Sequence, residues 1–238
     1  MFDTHNHMIY GVDDGSKNIE TSIEVLSNLY EQGIKNVILT PHYIPETNYV
    51  SSKLENYKKL MDLRNELRKR NINMNLYLGN EIYIDKNIVD YICKNVMSTL
   101  NNSEYILVEL PMNGIYEDYI DIFSNLINTG FKVILAHPER YTTFQGDYSK
   151  ILELEEIGVL FQCNIGSILG EYGNGAKKLI KRLLKDKKVS FIGTDIHSKK
   201  DNYNYIDKAI KKFLRYLSVN EINNILYNNP KKIIDERG

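Results

Sequence analysis

The stretch Gly33–His42, with the sequence Gly-Ile-Lys-Asn-Val-Ile-Leu-Thr-Pro-His, indicates the fold class of this chain. Before it, Ile19, Ile23, Leu26 and Tyr30 recur at helical spacing, so the glycine is placed to end a helix. The Val-Ile-Leu run that follows is continuously apolar, as expected of a strand covered on both faces. A histidine stands just after this strand. The stretch therefore predicts a helix end, a buried strand and a residue of a type that binds metals.

The same pattern returns later in the chain. Helical segments end at Gly130, near Gly158 and around Lys188, and a short β-branched segment follows each of them. Further apolar segments bring the total to about seven predicted strands, and their alternation with helices favours a parallel sheet. The predicted strands are Phe2–His5, Ile34–Thr40, Asn75–Gly79, Tyr105–Leu110, Phe131–Ala136, Val159–Asn164 and Val189–Thr194.

The predicted fold class is α/β, and a closed barrel is favoured over an open sheet. No glycine-rich phosphate loop follows the first strand, so neither a dinucleotide-binding nor a P-loop fingerprint is present. Polar residues of metal-binding type instead follow many different strands, which is typical of a barrel mouth. No linker or low-complexity segment interrupts residues 1–238, so a single domain is expected. A capping-box pair, Ser218 and Glu221, predicts a late helix that ends before Pro230.

Composition and charge argue against several classes of protein. The chain has 30 Lys and Arg against 31 Asp and Glu, and this balance argues against a general nucleic-acid-binding protein. We interpret the basic segment Lys177–Lys188 as a solvated helix face. No segment is apolar enough for a signal peptide or a membrane span, so a cytoplasmic protein without membrane insertion is expected. Cys93 and Cys163 are too few for a disulfide framework and are interpreted as core residues.

The five histidines are the most informative residues, because each stands at or just after the end of a predicted strand. His5 and His7 are two residues apart in an extended segment, so both imidazoles can reach one ion. Four acidic residues stand in matching places after predicted strands. Each of these histidines and acids alone has an ordinary explanation, as a loop histidine or a solvated acid, but nine such residues at one rim favour a shared metal site. They are His5, His7, Asp14, His42, Glu81, Glu109, His137, Asp195 and His197.

Nine ligands are more than one cation needs, and they predict two or three. Imidazoles and carboxylates without thiolates suit Mn²⁺, Fe²⁺, Zn²⁺ or Mg²⁺. Neighbouring cations can activate a hydroxide and clamp the oxygens of an in-line displacement, which favours hydrolysis of a phosphate ester. Arg140 and Lys17 are candidate phosphate-binding residues, with a surface ion pair as the alternative for each. Neither cysteine is followed six residues later by arginine, which excludes a cysteine-based phosphate loop.

Taken in order, these motifs resemble the PHP (polymerase and histidinol phosphatase) superfamily, and within it the bacterial manganese-dependent protein-tyrosine phosphatases of the CpsB/YwqE type. The motifs are Asp3-x-His5-x-His7, Val12-Asp13-Asp14-Gly15-x-Lys17, Thr40-x-His42, Gly79-x-Glu81-Ile82-Tyr83, Glu109, His137-Pro138-Glu139-Arg140-Tyr141 and Asp195-x-His197. The likeness extends over nearly the whole chain. It implies a distorted (β/α)7 TIM-like barrel of the PHP type with three metal ions, Mn²⁺ being the expected metal.

The resemblance also implies a role for each residue. Arg140 matches a family arginine that binds phosphate. A second family arginine, a few residues after the final Asp-x-His motif, is absent, and Lys199 or Lys200 is the expected substitute as a point charge. The implied ligand sets are His5, His7, Glu81 and Asp195 for a first metal; Glu81, Glu109 and His137 for a second; and Asp14, His42 and His197 for a third.

The implied function is removal of phosphate from tyrosines in the tail of a bacterial tyrosine autokinase that controls exopolysaccharide or capsule synthesis, by attack of a metal-bound hydroxide. A phenolate leaving group, with a pKa near 10, needs little protonic help, and Asp195 or His197 is the candidate proton carrier. One alternative is a small-molecule phosphomonoesterase such as histidinol-phosphatase. A nuclease of the same superfamily and a non-catalytic metal-binding module are two others. The oligomeric state is left open.

Overall fold

A computed structural model describes residues 1–114, 116–198 and 205–236 of the chain. The strands in these ranges are β1 (Phe2–Asp3), β2 (Asn36–Leu39), β3 (His42–Tyr43), β4 (Asn75–Leu78), β5 (Glu81–Tyr83), β6 (Tyr105–Glu109), β7 (Lys132–Ala136), β8 (Leu160–Asn164) and β9 (Val189–Gly193). The helices are α1 (Ile19–Glu31), α2 (Lys53–Lys69), α3 (Ile88–Cys93), α4 (Tyr119–Asn128), α5 (Thr142–Gly146), α6 (Ser149–Glu156), α7 (Gly173–Lys185), α8 (Ile206–Phe213), α9 (Val219–Asn223) and α10 (Asn229–Asp235). None of these helices is both long and apolar enough to span a bilayer.

All the strand pairs are parallel, and their order follows the chain. One sheet has the order β1-β2-β4, and the other has the order β3-β5-β6-β7-β8-β9. β2 and β3 are two halves of one barrel stave, which is interrupted at Pro41 because proline has no N–H for the ladder. β4 and β5 form a second interrupted stave. The nine short strands therefore build seven staves.

The barrel closes between its first and last staves. The amide of Thr4 donates a hydrogen bond to the carbonyl of Ile192 at 3.4 Å, and the amide of Asp195 donates to the carbonyl of His5 at 2.8 Å. The second of these bonds joins the two segments that carry most of the predicted ligands. The prediction of an α/β fold with a distorted (β/α)7 barrel is confirmed.

Side chains alternate between the barrel interior and the surrounding helices. In β6, Tyr105 and Leu107 point into the lower barrel, whereas Ile106 and Val108 pack under the helices. Glu109, at the next inward position, therefore lies at the carboxyl end of the interior. The lower interior is a buried apolar cluster of Ile38, Leu100, Tyr105, Leu107, Ile134, Ala136, Phe191 and Ile233. This packing leaves the carboxyl end as the polar mouth.

The last helical segment plugs the lower end of the barrel. It begins with the predicted capping box, in which the hydroxyl of Ser218 accepts a bond from the amide of Glu221 at 3.3 Å. The prediction that this helix ends before Pro230 is wrong, because a π-helical turn at Asn224–Asn228 joins α9 to α10. The wider turn carries the chain past a proline that would break a regular α-helix. Ile233 thereby reaches the apolar interior.

The two cysteines differ in their environment. Cys163 is buried in β8 on the side of the helices, as expected. Cys93 is exposed at the end of α3, so its interpretation as a core residue is wrong. The reason is that α3 is short and fully buries only Ile88.

Candidate metal centre

The nine predicted ligands come together at the carboxyl end of the barrel. His5 and His7 follow β1, Asp14 precedes α1, His42 and Glu81 begin β3 and β5, Glu109 ends β6, His137 follows β7, and Asp195 and His197 follow β9. Eight of the nine form three overlapping groups whose nitrogen and oxygen atoms lie within 4.8 Å of one another. The groups are His5, His7, Glu81 and Asp195; His7, Asp14, His42 and His197; and His42, Glu81 and Glu109.

The first group is the central one, and its four residues are buried. The Nε2 atoms of His5 and His7 are 3.0 Å apart. Oε2 of Glu81 lies 3.0 Å from Nε2 of His5 and 3.2 Å from Nε2 of His7. Oδ1 of Asp195 lies 3.4 Å from each of these nitrogens. Four potential ligand atoms therefore surround one point.

Hydrogen bonds on the far side of each ring fix the imidazole tautomers. Nδ1 of His7 lies 2.8 Å from the carboxylate of Asp13, which can only accept, so this nitrogen carries the proton. Nδ1 of His5 lies 2.8 Å from Oε1 of Gln162. In the neutral rings both Nε2 atoms then present lone pairs to the central point. Such outer partners are usual for metal-binding histidines.

Electrostatics at the central point call for positive charge. Burial would raise the pKa of Glu81, but the charges of His5 and His42 outweigh burial and hold this pKa well below its usual range. Burial would likewise raise the pKa of Asp195, but the charge of His5 holds this pKa well below its usual range. Burial would lower the pKa of His7, but its hydrogen bond to Asp13 raises it well above the usual value. The carboxylates are thus ionised, and only protons or cations can balance them.

The second group extends the site toward solvent. Oδ1 of Asp14 lies 3.6 Å from Nε2 of His42 and 3.5 Å from Nε2 of His197. Nδ1 of His197 lies 2.9 Å from the carbonyl of Asp195, an acceptor, so Nε2 of His197 also presents a lone pair. The three residues Asp14, His42 and His197 are those that the family resemblance implies for the third metal.

His42 connects the outer groups to the centre. Its Nδ1 lies 3.1 Å from both Oε2 of Glu81 and Oε1 of Glu109. His137, which the resemblance groups with Glu109, is instead outside the three groups, and its Nε2 lies 2.8 Å from Oε1 of Glu81. His137 and Asp195 both have left-handed backbone, with φ of 34° and 55°. Strain of this kind in non-glycine residues is characteristic of functional sites.

Unpaired polar atoms support the fit to metal ions. Among the described residues, Oε2 of Glu81 and Nδ1 of His42 are buried without a hydrogen-bond partner, although nitrogen and oxygen atoms crowd around them. An unpaired buried polar atom is costly, and a coordinated cation would remove this cost. The imidazole and carboxylate donors suit a divalent cation of the Mn²⁺, Fe²⁺ or Zn²⁺ type. The residues therefore fit a centre of more than one divalent ion.

The predicted phosphate-binding residues differ in position. Nη1 of Arg140 donates to Oδ2 of Asp195 at 2.5 Å, and its guanidinium lies 4.5 Å from the ring centre of Tyr172. The side chain of Arg140 is 25% exposed, so it is accessible at the mouth. Nζ of Lys17 donates to the carbonyl of Asp13 at 3.0 Å, which ties it to the loop that carries Asp14. Lys199 and Lys200 lie outside the described residues.

Comparison with known proteins identifies the family of this chain. The family model for capsular polysaccharide synthesis, CpsB/CapC, matches residues 1–235. The chain belongs to the CpsB/CapC family. It is 34% identical over 199 residues to CapC of Staphylococcus aureus, covering 83% of this chain and 77% of that protein. It is 28% identical over 211 residues to the tyrosine-protein phosphatase YwqE of Bacillus subtilis, covering 88% and 82%.

A solved structure supports the same assignment. It belongs to a set of crystal structures of YwqE from Bacillus subtilis and CpsB from Streptococcus pneumoniae, which are described as unique metal-dependent tyrosine phosphatases. The match has a TM-score of 0.88 and 26% identity, and it covers 100% of this chain and 96% of the other. The resemblance stated from the sequence is confirmed.

This member of the CpsB/CapC family also uses polar residues that sequence reasoning missed. Besides Asp13 and Gln162, Asn164 donates from Nδ2 to Oδ2 of Asp195 at 2.7 Å and accepts from Nε2 of Gln162 at 3.0 Å. These residues orient ligands. Gln162 and Asn164 stand at alternate positions of a strand that otherwise reads as buried, and this alternation was the available signal.

Asp3 also has a structural role that sequence reasoning missed, although it stands in the opening motif. It is buried, and its carboxylate accepts bonds from the amide of Thr194 at 2.8 Å and the hydroxyl of Thr194 at 2.6 Å. It also accepts a bond from Nδ2 of Asn6 at 2.9 Å. Asp3 therefore joins the first and last staves next to the ligands that follow them.

The lone pairs at the central point predict stabilisation by divalent cations. Mn²⁺ added to metal-stripped protein at 100 times its dissociation constant should stabilise the fold by about 2.7 kcal/mol. For a chain of this size, that corresponds to a rise in Tm of roughly 5–10 °C. The His5→Ala, His7→Ala double variant should show little of this rise in thermal melts with and without Mn²⁺. An equal rise in the double variant would contradict the assignment of the central point.

Proposed function

We propose that this protein is a metal-dependent tyrosine phosphatase that acts on phosphotyrosines in the tail of a bacterial tyrosine kinase and so regulates capsule or exopolysaccharide synthesis. The observation that carries the proposal is the convergence of four ligand atoms on one buried point beside the guanidinium of Arg140. Membership of the CpsB/CapC family supports it. We further propose Mn²⁺ as the metal, the cytoplasm as the location and residues 1–238 as one phosphatase domain.

The nine ligand residues of this proposal are His5, His7, Asp14, His42, Glu81, Glu109, His137, Asp195 and His197. When bound, divalent cations would supply a water-derived nucleophile at neutral pH and neutralise charge on the phosphoryl oxygens. The chain contributes the orientation of the ligands. Asp13 and Gln162 hold two imidazoles in the tautomer that leaves Nε2 available.

Arg140 is the residue that we assign to the phosphoryl group. Its bond to Asp195 and its contact with Tyr172 fix the plane of the guanidinium. A guanidinium has five N–H donors in a planar fork, so donors remain for two phosphoryl oxygens after the bond to Asp195. Lys17 and Lys199 are weaker candidates for binding the substrate, because an ammonium group offers no bidentate geometry.

The proposed reaction needs little help from a general acid. A tyrosine leaving group has a pKa near 10 and can depart as the phenolate with modest assistance. The pKa of Asp195, which burial would raise, is held well below its usual range by His5, so Asp195 is a carboxylate at neutral pH. This favours a positioning role for Asp195 over the proton-carrying role considered from the sequence. The bond from His197 to the carbonyl of Asp195 likewise favours a ligand role for His197.

Cysteine chemistry does not compete with this proposal. A cysteine nucleophile needs a lowered pKa and access to the substrate. Burial raises the pKa of the Cys163 thiol well above its usual range, and the residue faces the helices and not the barrel mouth. Cys93 lies at the end of α3 and does not belong to the site.

The proposal predicts a defined order of substrates. Metal-stripped protein should regain hydrolysis of a phosphotyrosine peptide on addition of a divalent cation, with Mn²⁺ the most effective of Mn²⁺, Fe²⁺, Zn²⁺ and Mg²⁺. Its kcat/KM for the peptide should exceed that for histidinol phosphate by about 100-fold, because the proposed site recognises an aryl phosphate within a polypeptide. Steady-state assays of both substrates under each cation measure this.

Two outcomes of these assays count against the proposal. Faster turnover of histidinol phosphate would make the protein a small-molecule phosphomonoesterase. Turnover of neither substrate under any cation would make it a metal-binding module without catalysis.

Replacement of Arg140 tests its role in binding phosphate. Arg140→Lys keeps the charge but loses the planar fork, and should lower kcat/KM for the peptide by about 10–100-fold, as expected for a charged hydrogen bond worth 1.5–3 kcal/mol. Arg182→Lys is the matched control, because Arg182 also lies over a tyrosine ring, Tyr148, at 3.5 Å and pairs with Asp186 at 3.7 Å, but near the far end of α7. An equal loss of kcat/KM in the two variants would contradict a role for Arg140 in binding phosphate.

A further inference from the structure

Two helices beside the barrel mouth share a concentrated cluster of positive charge. α7 and α8 both pack against the 3₁₀ turn Ile165–Ile168, which follows β8. We call one group of cations the basic face: Lys177 and Lys181 of α7, Lys208 and Lys212 of α8, and Arg215, which follows α8.

Helical spacing aligns these cations in two rows. Lys177 and Lys181 are one turn apart on α7, and Lys208 and Lys212 are one turn apart on α8. Arg215 follows three residues after Lys212. The two rows interact, since partial burial and then the charges of the other four residues lower the pKa of Lys212. The other four cations therefore lie within electrostatic reach of Lys212.

The basic face differs from the other cations of the same region. Arg182 pairs with Asp186, Lys187 pairs with Glu221 at 2.6 Å, and Lys188 pairs with Glu155. Within residues 1–114, 116–198 and 205–236, no member of the basic face forms an ion pair with an acidic side chain. Within the part of the chain that the structure describes, these cations therefore create a local positive potential.

The basic face continues from the rim of the candidate metal centre. α7 starts directly after Tyr172, the residue that lies against Arg140. Nζ of Lys177 donates to the carbonyl of Leu169 at 3.2 Å, in the same rim loop. Lys177 is five residues beyond Tyr172, which is about 7.5 Å along a helix axis. With the 4.5 Å between Arg140 and the ring of Tyr172, the path is about 12 Å, which an extended peptide rising about 3.3 Å per residue spans in about four residues.

We propose that the basic face binds acidic side chains of the polypeptide substrate that lie about three to five residues from the phosphotyrosine. This inference rests on the proposed function and names the class of peptide that the site selects. Continuity with the mouth favours a peptide over an anionic membrane surface, because Lys177 contacts the rim loop that carries Tyr172, the residue against Arg140.

Paired peptides and paired variants test the proposal. The peptides carry phosphotyrosine with either Glu or Gln three to five residues away. The wild-type protein should show about tenfold higher kcat/KM for the Glu peptide at low salt, mainly through KM, and this preference should fall at high salt. The Lys208→Glu, Lys212→Glu variant should lose the preference. All proteins should hydrolyse p-nitrophenyl phosphate equally, because this substrate does not reach the basic face.

The control variant is Lys58→Glu, Lys232→Glu, which makes the same change in charge at exposed positions on α2 and α10, away from the basic face. It should keep the preference for the Glu peptide. Equal kcat/KM for the two peptides in the wild type would overturn the proposal, as would a preference that survives in the Lys208→Glu, Lys212→Glu variant. Binding to phosphatidylserine vesicles that depends on Lys208 and Lys212, without a peptide preference, would assign the face to a membrane instead.

Failure of this inference is separable from failure of the proposed function. Fluorescence anisotropy of labelled Glu and Gln peptides measures binding to the metal-stripped protein without catalysis. If no phosphotyrosine substrate is hydrolysed, the proposed function fails, while the binding preference still decides the role of the basic face. If hydrolysis occurs without any preference, only the basic face is rejected.

Discussion

The site depends on one constraint: four electron-pair donor atoms repel one another at a single buried point. His5, His7, Glu81 and Asp195 present four donor atoms to each other at 3.0–3.4 Å, away from solvent. Carboxylates and imidazoles at such distances are stable only with positive charge between them. The outer hydrogen bonds keep the rings in the orientation that creates this demand. A cation site is therefore built into the arrangement of the side chains.

The barrel supplies the rigidity that this arrangement requires. Gly193 lets the last stave approach the first so closely that an added Cβ would lie 2.5 Å from Cβ of His5. Asp3 ties the same two staves together through Thr194. The apolar lower interior supplies hydrophobic stabilisation away from the site, so that the mouth can hold strained backbone at residues such as His137. Stability and function thus occupy opposite ends of the barrel.

Much of this could be predicted from the sequence, because local patterns carry it. Apolar runs such as Val37–Leu39 gave the strands, and the position of each histidine after a strand gave the site. The interruption of two staves and the helical path through Pro230 could not be predicted, since tertiary packing decides both. Partners such as Gln162 were also missed, because an amide inside a strand has no chemical signature until its neighbour across the barrel is known. Motif resemblance, and not periodicity, supplied the division of the ligands into three sets.

The most direct test for a cation at the buried point is an anomalous difference map from crystals grown with Mn²⁺ and collected at the manganese edge. A bound Mn²⁺ should give a peak between the two Nε2 atoms of His5 and His7, about 2.0–2.3 Å from each, with further density toward His42 and Glu109. A map without a peak among these side chains, in crystals that bind Mn²⁺ elsewhere or not at all, would contradict a cation site at this point.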